Sequence, residues 1–265
     1  MDGAKMRLDA ALVERGIVSG RDAAKALIAD GEVYVDGKIA TKPSATVAET
    51  ALLEVRSEAR RYVSRGGLKL EHALNAFGVD PTGFVCLDCG ASTGGFTDCL
   101  LKHGAAKVYA IDVGTNQLAE SLRNDARVVS REGVNAREIP RSLFDEPPQL
   151  ATVDVSFISL ALVLPAIRGV LAENGEVIAL IKPQFEAGRG NIGKRGIVKD
   201  AKTHVAVLND IIAVAQSLGF AVCDLTHSPI RIKDGNIEFL AYLSIEKNVA
   251  EIDVRRIVET SHKEL

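Results

Sequence analysis

The sequence LDCGASTGGF, residues 87–96, decides the fold of the larger part of this 265-residue chain. It continues the apolar run FVCLD, passes through a glycine-rich turn and enters a helical pattern in which Phe96, Cys99 and Leu100 share a face. Strands and amphipathic helices keep alternating to about residue 225, and a last apolar run, NIEFLAYLSI, fits an added antiparallel strand. The pattern predicts an α/β fold with a mostly parallel, doubly wound sheet.

The glycine-rich turn has the features of a nucleotide-type ligand site. Its glycines let the backbone approach a ligand at the carboxyl edge of the sheet. The turn contains neither a G-x-G-x-x-G pattern nor a G-K-[ST] pattern, so two better-known nucleotide loops are absent. Asp112 ends the second strand, 22 residues after Gly90, where a carboxylate can accept hydrogen bonds from ribose hydroxyls.

Taken together, this turn and the acidic residue after the second strand resemble the S-adenosylmethionine site of Rossmann-like methyltransferases. A tight turn without a ligand is the alternative. The resemblance implies S-adenosylmethionine as the cofactor and a set of residues that would contact it: Asp88, Gly90, Ser92, Gly94, Gly95, Asp112 and Asn135. Cys86 and Cys89 have the spacing of a metal or redox pair, but neither a second pair nor a nearby His completes a zinc set. We therefore expect no metal.

Three charged residues occupy strand ends or interrupt an apolar strand. Asp154 lies in VDVSFIS and Lys182 follows VIALI, so both are expected where the carboxyl ends of parallel strands meet. Glu238 interrupts the apolar run NIEFLAY, and a buried carboxylate there should meet a cation. A buried ion pair without chemistry is the alternative interpretation. A fourth charge, Lys69 in SRGGLKLEHAL, would on its own be read as a solvated helical lysine.

The N-terminal segment has a different organisation. Two short amphipathic patterns, residues 6–18 and 21–30, are followed by short strands around Asp36-Gly37, a dipeptide typical of tight hairpins. The sequence from Met6 to Val55 resembles the S4 RNA-binding domain. That resemblance implies RNA contacts by four basic residues: Arg7, Arg21, Lys25 and Lys42. We expect an S4-like domain over residues 1–59, a linker over 60–64 and a methyltransferase domain over 65–265.

Composition restricts the classes to which the chain can belong. The net charge is −3, no apolar run is as long as a membrane span, and the N-terminus lacks the apolar region of a signal peptide. Residues 182–202 nevertheless carry six basic against two acidic side chains, which suggests a site for a polyanion. We expect a cytoplasmic protein with reduced thiols that binds neither DNA nor a membrane. Its oligomeric state cannot be deduced.

Across nearly the whole chain the motifs resemble one family. SRGGLKL, LDCGASTGGFTDCLL, SLRND, VDVSFISL, IKPQFEAGRG and GNIEFLAYL are similar to the TlyA, or hemolysin A, family of S4-plus-RrmJ/FtsJ-type ribosomal RNA 2′-O-methyltransferases acting on cytidine. The resemblance implies ribosomal RNA or ribosomal subunits as partners. It implies a catalytic Lys-Asp-Lys-Glu set formed by Lys69, Asp154, Lys182 and Glu238. VDVSF has Val155 where relatives often carry Leu, a conservative departure.

The acceptor expected from the sequence is an oxygen of RNA. Asp154-Val155-Ser156-Phe157 stands where methyltransferases of exocyclic amines usually carry N/D-P-P-Y/F/W. The loop 183–200 is interpreted as a lid without secondary structure that orders over RNA. Three arginines near the site are further phosphate candidates: Arg65, Arg137 and Arg189. Two other functions are considered: an RNA-binding ribosome assembly factor without catalysis, and a membrane-active hemolysin. The N-terminal module disfavours a small-molecule O-methyltransferase.

Overall fold

The computed structural model describes residues 5–18, 20–29, 31–55, 61–193, 196–230, 235–247 and 251–265. The chain divides into two compact units, Met1–Arg60 and Arg61–Leu265. Arg60, at the start of the expected linker, and the side chain of Arg189 lie outside the described part.

The first unit combines two helices with short strands in its described residues. Their bounds are β1 (Lys5–Arg7), α1 (Leu8–Glu14), α2 (Arg21–Ala29), β2 (Val33–Val35), β3 (Lys38–Ile39), β4 (Thr46–Ala48) and β5 (Leu53–Val55). Strand β1 pairs with β4, and the other three strands form a sheet in the order β3-β2-β5. The expected hairpin is present: Asp36 and Gly37 have φ of 49° and 77°, the left-handed region that its two turn positions require.

The first helix is shorter than its hydrophobic pattern indicates. It begins at Leu8 instead of residue 6, because Met6 pairs with Val47 in the β1–β4 ladder. Leu8, Leu12 and Ile28 are fully buried between the two helices and the strands. Long-range strand pairing therefore outweighs helical periodicity at the helix start.

The second unit alternates strands and helices as its sequence predicts. Its elements are α3 (Gly66–Phe77), β6 (Val85–Cys89), α4 (Gly95–Lys102), β7 (Lys107–Asp112), α5 (Glu120–Arg123), β8 (Val128–Glu132), β9 (Leu150–Val153), α6 (Leu160–Val170), β10 (Glu176–Ile181), α7 (Pro183–Glu186), α8 (Ala201–Ser217), β11 (Ala221–His227), β12 (Phe239–Ser244) and α9 (Val254–Glu264). The strands form one seven-stranded sheet in the order β11-β12-β10-β9-β6-β7-β8. In this sheet β12 runs antiparallel to both of its neighbours, and the remaining pairs are parallel. The predicted doubly wound sheet with an antiparallel last strand is confirmed.

Apolar cores cover both faces of this sheet. On one face Leu70 and Leu74 of α3 pack with Leu100 of α4. On the other, residues of α6, α8 and α9 pack in a larger cluster that includes Leu164 and Leu208. A parallel sheet needs cover on both faces, and the helices of the alternating pattern supply it.

The segment Arg61–Ser64, part of the expected linker, lies within the second unit. Tyr62 is buried, and the Val63 backbone N–H donates to Asp98 Oδ2 at 2.8 Å. A Cβ added to Gly95 would lie 2.2 Å from Ser64 Oγ and 2.9 Å from the backbone nitrogen of Gly67. Because only glycine fits so close a contact, the start of α3 rests directly on the start of α4.

None of the helices in the described ranges combines the length and the apolar character needed to cross a bilayer.

Candidate active site

An open cleft with a volume of about 890 Å³ lies at the carboxyl edge of the seven-stranded sheet. Residues at the ends of β6, β7 and β9, or directly after them, line it, among them Gly90, Asp112 and Asp154. Ligands of open parallel sheets bind at this edge, because the loops between strands and helices diverge there. Of the residues expected at a cofactor or at RNA, the following line the cleft: Gly90, Ser92, Asp112, Asn135 and Arg137.

Gly90 allows β6 and β9 to continue side by side beyond their last paired residues. A Cβ on Gly90 would lie 2.4 Å from the carbonyl oxygen of Asp154, and its φ of 88° is in the left-handed region. The Asp154 backbone N–H donates to the Cys89 carbonyl at 2.9 Å. Gly90 thus places Asp154 beside the glycine-rich turn.

Asp112 organises the loops on the other side of the cleft. Its carboxylate accepts hydrogen bonds from the backbone N–H groups of Ser92 and Gly114, both at 2.7 Å. Each carboxylate oxygen has a second acceptor site, so capacity for ribose hydroxyls remains. Asn135 Oδ1 accepts from the Arg137 backbone N–H at 3.1 Å, which leaves its amide group as a donor.

Asp88 does not line the cleft, contrary to expectation. It is fully buried, and its carboxylate accepts hydrogen bonds from the hydroxyls of Thr97, at 2.6 Å, and Thr152, at 3.2 Å. Burial raises the pKa of Asp88 to about 7. These two hydrogen bonds connect the end of β6 to α4, which contains Thr97, and to β9, which contains Thr152.

Gly94 and Gly95 lie where neighbouring residues pack too closely for a side chain. A Cβ on Gly94 would lie 2.3 Å from a methyl carbon of Leu122, and Gly95 contacts the start of α3 as described above. Neither glycine is among the residues that line the cleft. The turn therefore contributes Gly90 and Ser92 to the cleft wall, and its last two glycines hold α4 against its neighbours.

Lys182 forms the first of two ion pairs at this edge. Its Nζ lies 2.5 Å from Asp154 Oδ1 and donates to Ser156 Oγ at 2.9 Å. The Lys182 side chain is 10% exposed and that of Asp154 is 22% exposed. An amine with little contact to water is thus held between a carboxylate and a hydroxyl, both of which belong to residues that line the cleft.

Lys69 and Glu238 form the second pair. Lys69 Nζ donates to Glu238 Oε2 at 2.6 Å, with side chains 14% and 1% exposed. Because Ile181 pairs with Phe239 in antiparallel register, the next residue on each chain, Lys182 and Glu238, lies opposite the other. Side chains of opposed residues project to the same face of a sheet, with Cα atoms about 4.5–5.5 Å apart. Continued by one residue, this register brings the two ion pairs to the same edge of the sheet.

An exposed aromatic side chain stands next to the first ion pair. Phe157 lines the cleft, is 91% exposed and has φ of 62°, an unusual conformation for a bulky residue. Its ring lies 4.9 Å from that of Phe185, and the Phe185 ring centroid lies 5.9 Å from Lys182 Nζ. The cleft thus combines buried charges with an accessible aromatic surface.

The residues expected at RNA lie on both units. Within the first unit, Arg7 makes two hydrogen bonds to buried Asp9, and Arg21 lies 3.8 Å from the same carboxylate. The hydrogen bond from Arg7 lowers the pKa of Asp9. Lys25 and Lys42 are exposed. In the second unit Arg137 is exposed in the cleft, and Arg65 directly precedes α3, the helix that carries Lys69.

The loop 183–200 contains more structure than its sequence indicates. It starts with α7 and includes a 3₁₀ turn over Arg189–Asn191. Its end is bonded to the segment that contains Glu238 and leads into β12: Asn236 Oδ1 accepts from the Val198 N–H, and its amide donates to the Gly196 carbonyl, both at 3.0 Å. Among the residues described, no three His, Cys, Asp or Glu side chains are grouped to hold a metal.

Four residues of the site were not identified as contributors from the sequence: Ser156, Phe157, Phe185 and Glu186. The first two lie two and three residues after Asp154, so proximity to a predicted site residue could have identified them. The other two lie three and four residues after Lys182, and the same proximity could have identified them. The positive φ of Phe157 has no sequence signature, since such conformations usually belong to glycine.

Two family models match the chain. Residues 62–245 match the FtsJ-like methyltransferase model, and residues 6–53 match the S4 domain model. The 16S/23S rRNA (cytidine-2′-O)-methyltransferase TlyA of Mycobacterium tuberculosis is 43% identical over 247 residues, which cover 93% of this chain and 92% of that protein. Hemolysin A of Brachyspira hyodysenteriae is 46% identical over 91% of this chain and 100% of its own length.

A solved structure extends the similarity to the whole fold. A protein described as a "putative hemolysin" from Streptococcus thermophilus is 44% identical, with a TM-score of 0.80, over 98% of this chain and 96% of that one. The similarity thus includes both units of the chain.

Proposed function

The chain belongs to the TlyA, or hemolysin A, family of FtsJ-like methyltransferases with an S4 domain, whose cofactor is S-adenosylmethionine, and we propose that it methylates the 2′-hydroxyl of a cytidine in ribosomal RNA. The observation that carries the proposal is the position of Lys182, whose amine is held by Asp154 and Ser156 at the edge of the cleft. The names of the curated relatives supply the cytidine and the ribosomal RNA. Because its proposed substrate is ribosomal RNA, we expect the enzyme to act in the cytoplasm.

The cleft fits the cofactor in size and in donor set. Gly90 and Ser92 form part of its wall. Asp112 has free acceptor sites for the ribose hydroxyls, and Asn135 has an amide group that can donate to the adenine. When bound, S-adenosylmethionine supplies a methyl group on an electrophilic sulfonium. Asp154, beside Gly90, connects this part of the cleft to Lys182.

The reaction needs a group that acts on the hydroxyl of the acceptor. A ribose 2′-hydroxyl is a poor nucleophile until its proton is being removed. Lys182 is placed for this task, either as a base when neutral or as a stabiliser of the oxyanion when charged. The two carboxylates, Asp154 and Glu238, orient the amines of Lys182 and Lys69 through the ion pairs described above. All four are proposed as catalytic.

RNA is held by aromatic and basic side chains around the site. Phe157 offers an exposed ring on which a base can stack next to Lys182. Arg65, Arg137 and Arg189 are proposed to contact phosphates near the site. In the first unit we assign the same role to four side chains: Arg7, Arg21, Lys25 and Lys42.

Replacement of Gly90 by alanine should prevent cofactor binding. The new Cβ would lie 2.4 Å from the Asp154 carbonyl, so β6 and β9 must separate where the cofactor is bound. We expect the Kd for S-adenosylmethionine, measured by calorimetry, to rise at least tenfold. Gly219→Ala is the matched control: its φ of 81° is equally strained, but no atom lies within 4 Å of the added Cβ. Equal affinity in both variants would contradict the assignment.

The function is tested by methyl transfer to purified ribosomal RNA and ribosomal subunits. With methyl-labelled S-adenosylmethionine we expect the label in 2′-O-methylcytidine after digestion to nucleosides, and none after the target is replaced by 2′-deoxycytidine. Label on a base would contradict the proposed acceptor. RNA binding without transfer would favour the alternative of an assembly factor. Separate assays of the two subunits identify which of them carries the target.

A further inference from the structure

Two chain segments form the acceptor side of the site, and they are joined at several points. The first is the loop from Asp154 to Ser159, and the second runs from Lys182 to Glu186. Lys182 contacts Asp154 and Ser156, and Phe185 packs against Phe157. These contacts join the side chains that face the cleft.

Glu186 makes a further connection behind that surface. Its Oε2 accepts from the Ser159 hydroxyl at 2.6 Å, and its Oε1 accepts from the Leu160 backbone N–H at 2.8 Å. Ser159 is the N-cap residue of α6 and itself accepts from the Ala161 N–H at 3.1 Å. The carboxylate thus satisfies an N–H group that the first turn of a helix leaves without an intrahelical partner. Burial raises the pKa of Glu186, although both hydrogen bonds oppose that shift.

The spacing of these contacts makes the connection rigid. Lys182 is the N-cap of α7 and Glu186 its last residue, so a single helical turn separates the catalytic amine from the anchoring carboxylate. On the other segment, Ser156 and Ser159 flank Phe157, whose positive φ needs support from its surroundings. Each segment is therefore held at both of its ends by the other.

We propose that Glu186 is a positioning residue that fixes Lys182 and Phe157 relative to each other through its hydrogen bonds to Ser159 and Leu160. This inference rests on the proposed function, since it assigns Glu186 to the acceptor side of the methyl-transfer site. The action depends on hydrogen bonding and not on charge. A glutamine can replace both bonds, because its oxygen accepts from the Leu160 N–H and its amide donates to the Ser159 hydroxyl oxygen.

The expected result is a loss of turnover in Glu186→Ala that Glu186→Gln restores. Misplacement of reacting groups by about 1 Å can cost on the order of a hundredfold in rate. We expect kcat to fall about 30-fold in Glu186→Ala, with a smaller change in KM for RNA, and to stay within about threefold of wild type in Glu186→Gln. The Kd for S-adenosylmethionine should stay within about twofold in both, because Glu186 lies outside the glycine-turn side of the cleft.

A second measurement does not depend on the substrate. Amide hydrogen exchange of the peptides that cover residues 154–162 should accelerate in Glu186→Ala and not in Glu186→Gln. Glu176→Ala is the matched control: Glu176 is also a half-buried glutamate, paired with Lys247 at 2.6 Å, but it lies at the opposite end of β10. We expect Glu176→Ala to keep both kcat and the exchange pattern of wild type. If Glu186→Ala does not fold, Ser159→Ala removes one of the two bonds and should lower kcat about three- to tenfold.

Three results would overturn the inference: full turnover in Glu186→Ala, equal losses in the Ala and Gln variants, or unchanged exchange over residues 154–162. Failure of the proposed function has a different signature, because wild-type protein would then methylate no ribosomal RNA. The exchange measurement would still decide whether Glu186 holds the two segments together.

Discussion

Lys182→Ala is expected to lower kcat for methyl transfer by about three orders of magnitude and to leave cofactor affinity within about twofold of wild type. General acid–base groups contribute about 10²–10⁴ in rate, and the Lys182 amine contacts Asp154 and Ser156, two residues that line the cleft. Gly90, Ser92 and Asp112 remain in place in the variant. Single-turnover transfer to ribosomal RNA and calorimetric titration with S-adenosylmethionine measure the two effects separately.

Two further lysine variants sharpen this experiment. Lys182→Arg keeps a positive charge but cannot act as a base, because the guanidinium stays protonated. Partial activity in Lys182→Arg would assign Lys182 to stabilisation of the oxyanion, and its complete loss would favour a base. Lys107→Ala is the matched control, since Lys107 is paired with Asp145 at 2.9 Å outside the cleft. If Lys182→Ala kept turnover within tenfold of wild type, Lys182 would have no catalytic role.

The location of the site could be predicted from sequence because strand ends are local features. Asp154 and Lys182 each follow an apolar run, and parallel strands bring their carboxyl ends to one edge. Glu238 could be expected to meet a cation because it interrupts an apolar strand. Its partner could not be deduced in this way, since the position of β12 between β10 and β11 depends on pairing between distant segments. Only the family resemblance pointed to Lys69.

Two residues of the glycine-rich turn region, Asp88 and Gly95, have packing contacts that the sequence does not reveal. Asp88 lies near the end of an apolar strand, two residues before a glycine, a position that suits a ligand contact as well as a buried support. The two hydroxyls that satisfy its carboxylate belong to Thr97 and Thr152, and Thr152 is 64 residues away. In the same way, the absence of a side chain at Gly95 allows Ser64, from an earlier segment of the chain, to pack closely against it. Sequence spacing identifies such residues, but tertiary packing decides what they contact.

Replacement of Lys69 by methionine should destabilise the second unit by about 3–5 kcal/mol. Methionine keeps much of the aliphatic length but removes the charge, and this leaves Glu238, 1% exposed, without the ammonium 2.6 Å away. A buried ion pair adds little net stability, whereas removal of one partner leaves a buried charge uncompensated. The double variant Lys69→Met with Glu238→Gln should regain most of the lost stability, because no charge remains, and should stay inactive.

This pair of variants separates stability from catalysis, which a single substitution cannot do. In Lys69→Met the Glu238 carboxyl group stays buried without its cation, so the folded state loses stability; in the double variant neither charge is present and that loss should largely disappear. Scanning calorimetry measures this loss of stability. The transition of the second unit is the one whose midpoint temperature rises when S-adenosylhomocysteine is added. A Lys69→Met variant as stable as wild type at pH 8 would show that Glu238 does not depend on Lys69. Recovery of activity in the double variant would remove both residues from the catalytic set.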